Sequence, residues 1–167
     1  MLQSCHELLV LKVSSLTGIN DRSIIAMVNS FGSSKTIRLP VLQEIEEEEK
    51  EEHTALGGSP PKLENLRLRD TDISSTGLAA FLSFCGSTLN TLDVSFTRVK
   101  HLDVIGQYCN TPLKKLNISK LELAPFELYK LVQRFHDKGI KLKKLIAGGS
   151  LLITTSATNS DLIKVSD

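Results

Sequence analysis

The sequence predicts an α/β fold in which short parallel strands alternate with returning helices in stacked units. Three observations predict it. One aliphatic pattern recurs in a single phase along almost the whole chain, helix-length amphipathic stretches fill the intervals, and the composition is that of a globular domain. Of 167 residues, 41% are apolar and 23% charged, which excludes global disorder, a collagen-like repeat and a disulfide-stapled miniprotein. A chain of this length buries roughly 70% of its unfolded surface, so its core needs no metal or crosslink. With no Trp and 5% aromatics, Leu and Ile must fill that core.

The recurrence is found by laying segments over one another. LENLRLRDTDI from Leu63, LNTLDVSFTRV from Leu89, LKKLNISKLEL from Leu113 and LKKLIAGGSLL from Leu142 align without gaps. Each is aliphatic at its first and fourth positions. Three of the four are so again at the sixth, where the last has Ala147. The starts lie 26, 24 and 29 residues apart. LLVLKVSSLTGI from Leu8 and SKTIRLPVL from Ser34 continue the series backwards, although Ser34 breaks the first position.

Within each unit the alternation predicts a strand with its Leu positions inward and the intervening residues on the opposite face. The helices follow in order. Residues 20–30 open with Asn20 and Asp21 as caps and place Ile24, Ile25, Met27 and Val28 inward. Residues 76–84 bury Leu78, Phe81 and Leu82, and residues 101–108 form a short, weak helix. Residues 125–138 form the clearest: Pro125 opens it, Phe126, Leu128, Leu131, Val132 and Phe135 face inward, and Gly139 stops it. The second unit is the exception. Its return, 43–61, is QEIEEEEKEEHTALGGSPP, whose only apolar anchors are Ile45, Ala55 and Leu56. Like charges repel there, so an exposed acidic loop is expected. The expected domain spans 1–152, about six units, and 153–167 is a tail.

The pattern resembles the leucine-rich repeat, LxxLxLxxN/CxL. Residues 71–78 (TDISSTGL) and 18–24 (GINDRSI) are similar to the ribonuclease-inhibitor-like and cysteine-containing subclasses. Cys85 and Cys109 each precede the next unit's first Leu by four residues, and Cys5 precedes Leu8 by three. The resemblance implies a right-handed solenoid, a short curved horseshoe with parallel strands on its concave face and helices on its convex face. The family's Asn at the ninth position is here Leu16, Leu42, Thr71, Thr97, Leu121 and Ser150. A Thr or Ser hydroxyl can stand in for that amide, whereas Leu cannot bond the turn at all.

Catalytic chemistry is not expected. Gly148-Gly149-Ser150 lacks the Lys of a phosphate loop, and His6, His53, His101 and His136 lie far apart without HExxH or CxxC spacing. No catalytic, cofactor or metal residues are assigned, and the chain is expected not to be an enzyme. Three Cys suit a reducing compartment. The start lacks a basic region before its short apolar stretch, and no apolar run approaches the roughly 20 residues a bilayer requires. A cytoplasmic or nuclear protein without a membrane partner is expected. The sequon Asn117-Ile118-Ser119 falls on a strand and is expected to be accidental.

Function is expected on the exposed strand positions, where repeats present a binding surface. Lys12, Arg38, Arg67 and Arg69 should form a cationic stripe. Asp93 and Phe96 interrupt it, and Lys115, Asn117 and Lys144, with Lys120, continue the face. These residues are expected to bind a protein partner, an acidic one by charge, without catalysis. The subclass resemblance implies as an alternative the substrate-recognition part of an F-box-type ubiquitin ligase subunit. A basic nucleic-acid surface is the other alternative; no aromatic stacking set accompanies the charges. Residues 44–52 concentrate seven Glu and one Lys, leaving nineteen basic and twelve acidic residues elsewhere. That run is expected either to be a solvated loop or to compete for the cationic face.

Overall fold

A computed structural model describes residues 8–31, 62–110, 112–124 and 126–149. The described part is a mixed α/β fold. Its strands are β1 (Val10–Lys12), β2 (Asn65–Arg67), β3 (Thr91–Asp93), β4 (Lys115–Asn117) and β5 (Lys144–Ile146), and they form one parallel sheet in chain order. The helices are α1 (Asp21–Phe31), α2 (Ser75–Cys85), α3 (Asp103–Tyr108) and α4 (Glu127–Asp137), each packed against the next. No helix among the described residues is long and apolar enough to cross a membrane.

Register follows the aliphatic phase. Leu11, Leu66, Leu92, Leu116 and Leu145 stand side by side at the strand centres. The last four are buried, as are Leu68, Val94, Ile118 and Ala147 two residues further on. A two-residue period sends these side chains to one face of the sheet, and their neighbours point away from it. Burying each such side chain is worth about 1.5–3 kcal/mol, so a slip of one residue would forfeit the whole row.

β1 and β2 adjoin, although the sequence pattern offers a further unit between them. β1 is bonded directly to β2, with Val13 N donating to Arg67 O at 3.0 Å and Asn65 N to Leu9 O at 3.0 Å. No strand stands between them, and α1 rests on α2 in the same step. SKTIRLPVL, with Ile37 and Arg38, is the segment expected to supply that unit. That segment lies outside the described residues, as do Cys5, the acidic run and the stretches 43–61 and 153–167.

The ladder continues past the strands. Four residues after each central Leu the backbone enters the left-handed region, at Ser15 (φ 54°), Asp70 (56°), Phe96 (58°), Lys120 (58°) and Gly149 (64°). The N–H groups of Ser15, Asp70, Phe96 and Lys120 donate to Arg69, Ser95, Ser119 and Gly148 carbonyls at 2.9–3.1 Å. Five residue types share one conformation, so the stacked turn imposes it. The expected hydroxyl substitution operates inside two of these turns: Thr71 Oγ1 donates to Leu68 O and Thr97 Oγ1 to Val94 O, both at 2.7 Å.

Local signals set the helix ends. Asn20 and Ser23 cap α1 reciprocally, Ser23 N donating to Asn20 Oδ1 at 3.1 Å and Asn20 N to Ser23 Oγ at 2.9 Å. Ser74 caps α2 through Thr76 N at 3.1 Å, and donates from its own N and Oγ to Asp21 at 2.8 and 2.5 Å. α4 ends in a Schellman turn: Gly139 (φ 66°) donates to His136 O and Ile140 to Phe135 O. The stripe of α4 that faces inward is Glu127, Leu131 and Phe135. Phe126, expected inward, is instead 70% exposed. It stands one residue before that four-residue series, about 100° round the helix from the core. Ile25, Met27, Leu128 and Val132 are half-buried rather than fully inward, and Pro125 lies outside the described residues.

Candidate functional site

The face opposite the core is built from the residues flanking each central Leu. One row runs Val10, Asn65, Thr91, Lys115, Lys144; the other runs Lys12, Arg67, Asp93, Asn117, Ile146. Of the residues expected there, Lys12 is brought beside Arg67, and Lys115 beside Lys144, each one strand step of about 4.8 Å apart. Arg38 lies outside the described residues, and Lys12 and Arg67 adjoin directly.

Lys12, Arg67, Arg69, Lys115, Lys120 and Lys144 are exposed. Among the described residues none of them has a carboxylate within ion-pair distance. The pairs that do form join Arg98 to Asp72 (3.1 Å), Lys130 and His101 to Glu127 (3.1 and 3.7 Å) and His136 to Asp137 (3.7 Å).

Asp93 and Asn117 serve the turns. Asp93 Oδ1 accepts from Ser95 N at 3.0 Å and Ser95 Oγ at 2.6 Å. Asn117 Oδ1 accepts from Ser119 N and Oγ at 3.1 and 2.8 Å, and its Nδ2 donates to Ser95 Oγ at 3.4 Å. The Asp-x-Ser and Asn-x-Ser spacing is an Asx-turn signature that identifies this use from the residues alone.

Phe96 occupies the left-handed turn after β3 and is 45% exposed. The Arg69 guanidinium carbon lies 5.0 Å from its ring centroid, within cation–π range. Beside the ring, at the carboxyl ends of the strands, a cleft of about 430 Å³ is lined by Asp70, Arg98, Lys100, Lys120 and Glu122, among others. Lys120, one turn along, lies across Gly149, where an added Cβ would meet its Cδ at 2.7 Å.

Two thiols and one carboxyl elsewhere in the described residues are shifted by their surroundings. Cys85 and Cys109 are free and buried; burial pushes both thiols up, Cys109 to about 12. Burial also pushes the Glu127 carboxyl up, yet the Leu102 N–H, Lys130 and His101 outweigh it and leave it below the ordinary range. No group of three or more His, Cys, Asp or Glu among the described residues could hold a metal ion. An apolar cavity of about 210 Å³ lies between α4 and β5, walled by Leu128, Leu131, Phe135, Ile140, Leu142 and Leu145.

No family model, no curated protein and no solved structure matches this chain.

Proposed function

We propose that the strand–turn–helix units are leucine-rich repeats of a short right-handed solenoid, and that the chain is a non-catalytic module binding an acidic protein partner across its exposed sheet face. One observation carries this reading: Lys12, Arg67, Lys115 and Lys144 lie exposed on one side of a sheet whose other side is packed, and Arg69 and Lys120 stand exposed just beyond its strands, with no carboxylate partner among the described residues. Like charges one strand apart repel, and an approaching row of carboxylates relieves that repulsion. Each exposed pair contributes only about 0–1 kcal/mol, so binding needs several at once and weakens with salt. The free, buried thiols support a reducing cytoplasmic or nuclear setting.

The test is quantitative affinity capture with three baits: wild type, Arg67→Glu plus Lys115→Glu on the sheet face, and Gln133→Glu on the exposed side of α4. The sheet-face variant should lose partners that the helix-face variant keeps. If all three baits retain the same proteins, the sheet face is not the binding surface.

A further inference from the structure

We propose that Phe96 anchors a docking site for an acidic peptide segment that carries an apolar side chain between its carboxylates. The apolar group would pack on the Phe96 ring, and the flanking carboxylates would meet Arg69 and Lys120. This rests on the sheet-face reading above and adds to it a position and a sequence preference.

The turn does not require an aromatic residue at this point. Gly149 adopts the same left-handed conformation in the fifth unit without a side chain, and the equivalent residues elsewhere are Ser15, Asp70 and Lys120. A non-glycine residue there costs about 1 kcal/mol of backbone energy. The ring nevertheless projects, 45% exposed, among cations.

Its position is held firmly. Phe96 N donates to Ser119 O at 3.0 Å, Thr97 Oγ1 closes the turn on Val94 O at 2.7 Å, and the Arg69 guanidinium lies against the ring. A braced aromatic loses little freedom on binding, which is what makes such side chains effective anchors. A guanidinium that lies over a ring still has N–H groups with which to donate two parallel hydrogen bonds to a carboxylate.

The cleft beside the ring leaves room for a peptide to lie against Phe96, and Lys120 supplies a cation to its lining. Asp70 and Glu122 on the same rim disfavour an unbroken run of acids, so the carboxylates must flank the anchor. Arg98 is already paired with Asp72 and contributes less.

The experiment uses the full chain and fluorescein-labelled heptapeptides read by anisotropy at low and physiological salt. One peptide has a central phenylalanine between glutamates, a second has serine at the centre, a third has lysines around phenylalanine, and oligouridine is the fourth probe. The acidic phenylalanine peptide should bind about fivefold or more tightly than its serine counterpart. Phe96→Ser should equalise the two, and Phe96→Leu should retain part of the preference. Arg69→Gln and Lys120→Gln should each weaken both acidic peptides. Thermal melting of every variant establishes that it is folded before its binding is compared.

Equal binding of both acidic peptides to the wild type overturns the anchor while leaving the acidic-face reading intact. A preference that persists in Phe96→Ser does the same. Failure of both acidic peptides to bind overturns the two together. Tighter binding of oligouridine, lost in Phe96→Ser, overturns the peptide as occupant in favour of single-stranded nucleic acid.

Discussion

Glu127 and Lys138, near opposite ends of α4, grip the two ends of α3. Glu127 Oε2 accepts from Leu102 N at 2.9 Å, while Lys138 Nζ donates to the carbonyls of Gln107 at 2.7 Å and Cys109 at 3.3 Å. Six residues are too few to hold a helix by cooperativity. An anion at its amino end and a cation at its carboxyl end supply what length does not. Glu127→Ala should cost about 2 kcal/mol, since it leaves a buried N–H unpaired. Lys138→Ala should cost about 0.5–1 kcal/mol, because the ammonium is more exposed. Urea unfolding measures both, and equal losses would contradict the difference in burial.

The same carboxylate makes stability depend on acidity. Burial raises the Glu127 carboxyl, but the Leu102 N–H, Lys130 and His101 draw it below its ordinary 4.5. A carboxyl depressed in the folded state stabilises fully above the unfolded pKa, and that contribution fades as pH falls through the folded one. Wild type should therefore exceed Glu127→Gln in stability near neutrality. The gap should begin to close as pH drops toward about 4.5 and vanish below the depressed value. Unfolding free energies of the pair across that range test the sign; a gap that widened on acidification would refute it.

Gly77 lies where α2 meets α1. A Cβ there would collide with the Asp21 Oδ1 atom and approach the Asp21 backbone to 3.0 Å. Asp21 is the residue that receives Ser74, so the clash would also disturb that link between neighbouring units. Alanine favours a helix over glycine by about 1 kcal/mol, yet Gly77→Ala should destabilise by about 1–2 kcal/mol because overpacking prevails. Ser83→Ala, exposed on the same helix, should change stability by no more than about 0.5 kcal/mol. Melting temperatures of the two variants decide it.

The strands and their register were legible because burial and the aliphatic phase coincide: Leu66, Leu92, Leu116 and Leu145 read inward and are inward. SKTIRLPVL carries the same phase but lies outside the described residues, among which β2 finds its partner in β1. Phe126 is apolar but lies outside the helical phase of Leu131 and Phe135, so its hydropathy does not predict its exposure. Glu127 shares the inward stripe with Leu131 and Phe135, yet hydropathy alone has no reason to bury a carboxylate. On the sheet face, the rows of Lys and Arg follow from alternation. Four of the five left-handed turns left no mark, since Ser15, Asp70, Phe96 and Lys120, unlike Gly149, are not the Gly or Asn such a backbone favours. The Arg69–Phe96 contact depends on that turn and was hidden with it.

Phe96 and Leu92 stand four residues apart and should respond very unequally to truncation. Leu92 is fully buried at the centre of β3, so Leu92→Ala should cost about 2–5 kcal/mol. Phe96→Gly relieves a left-handed backbone and loses a partly exposed cation–π contact, two effects of about 1 kcal/mol with opposite sign. Its net change should stay within about 1 kcal/mol. Chemical denaturation of both variants checks this, and a large loss in Phe96→Gly would make the ring a core element.

Cys109 ends α3 and its carbonyl is one of the two that Lys138 holds, whereas Cys85 ends α2 and its thiol donates to Phe81 O at 3.4 Å. Burial raises both thiols, so little thiolate forms at about pH 8 and the native thiols should resist disulfide reagents. Labelling then requires local opening. In a Cys5→Ser background, Lys138→Ala releases the carboxyl end of α3 and should speed Cys109 labelling several-fold more than Cys85 labelling. Mass spectrometry of timed digests separates the two sites. Equal acceleration at both would mean that the thiols open only with global unfolding, and that Lys138 stabilises the molecule without holding α3 in particular.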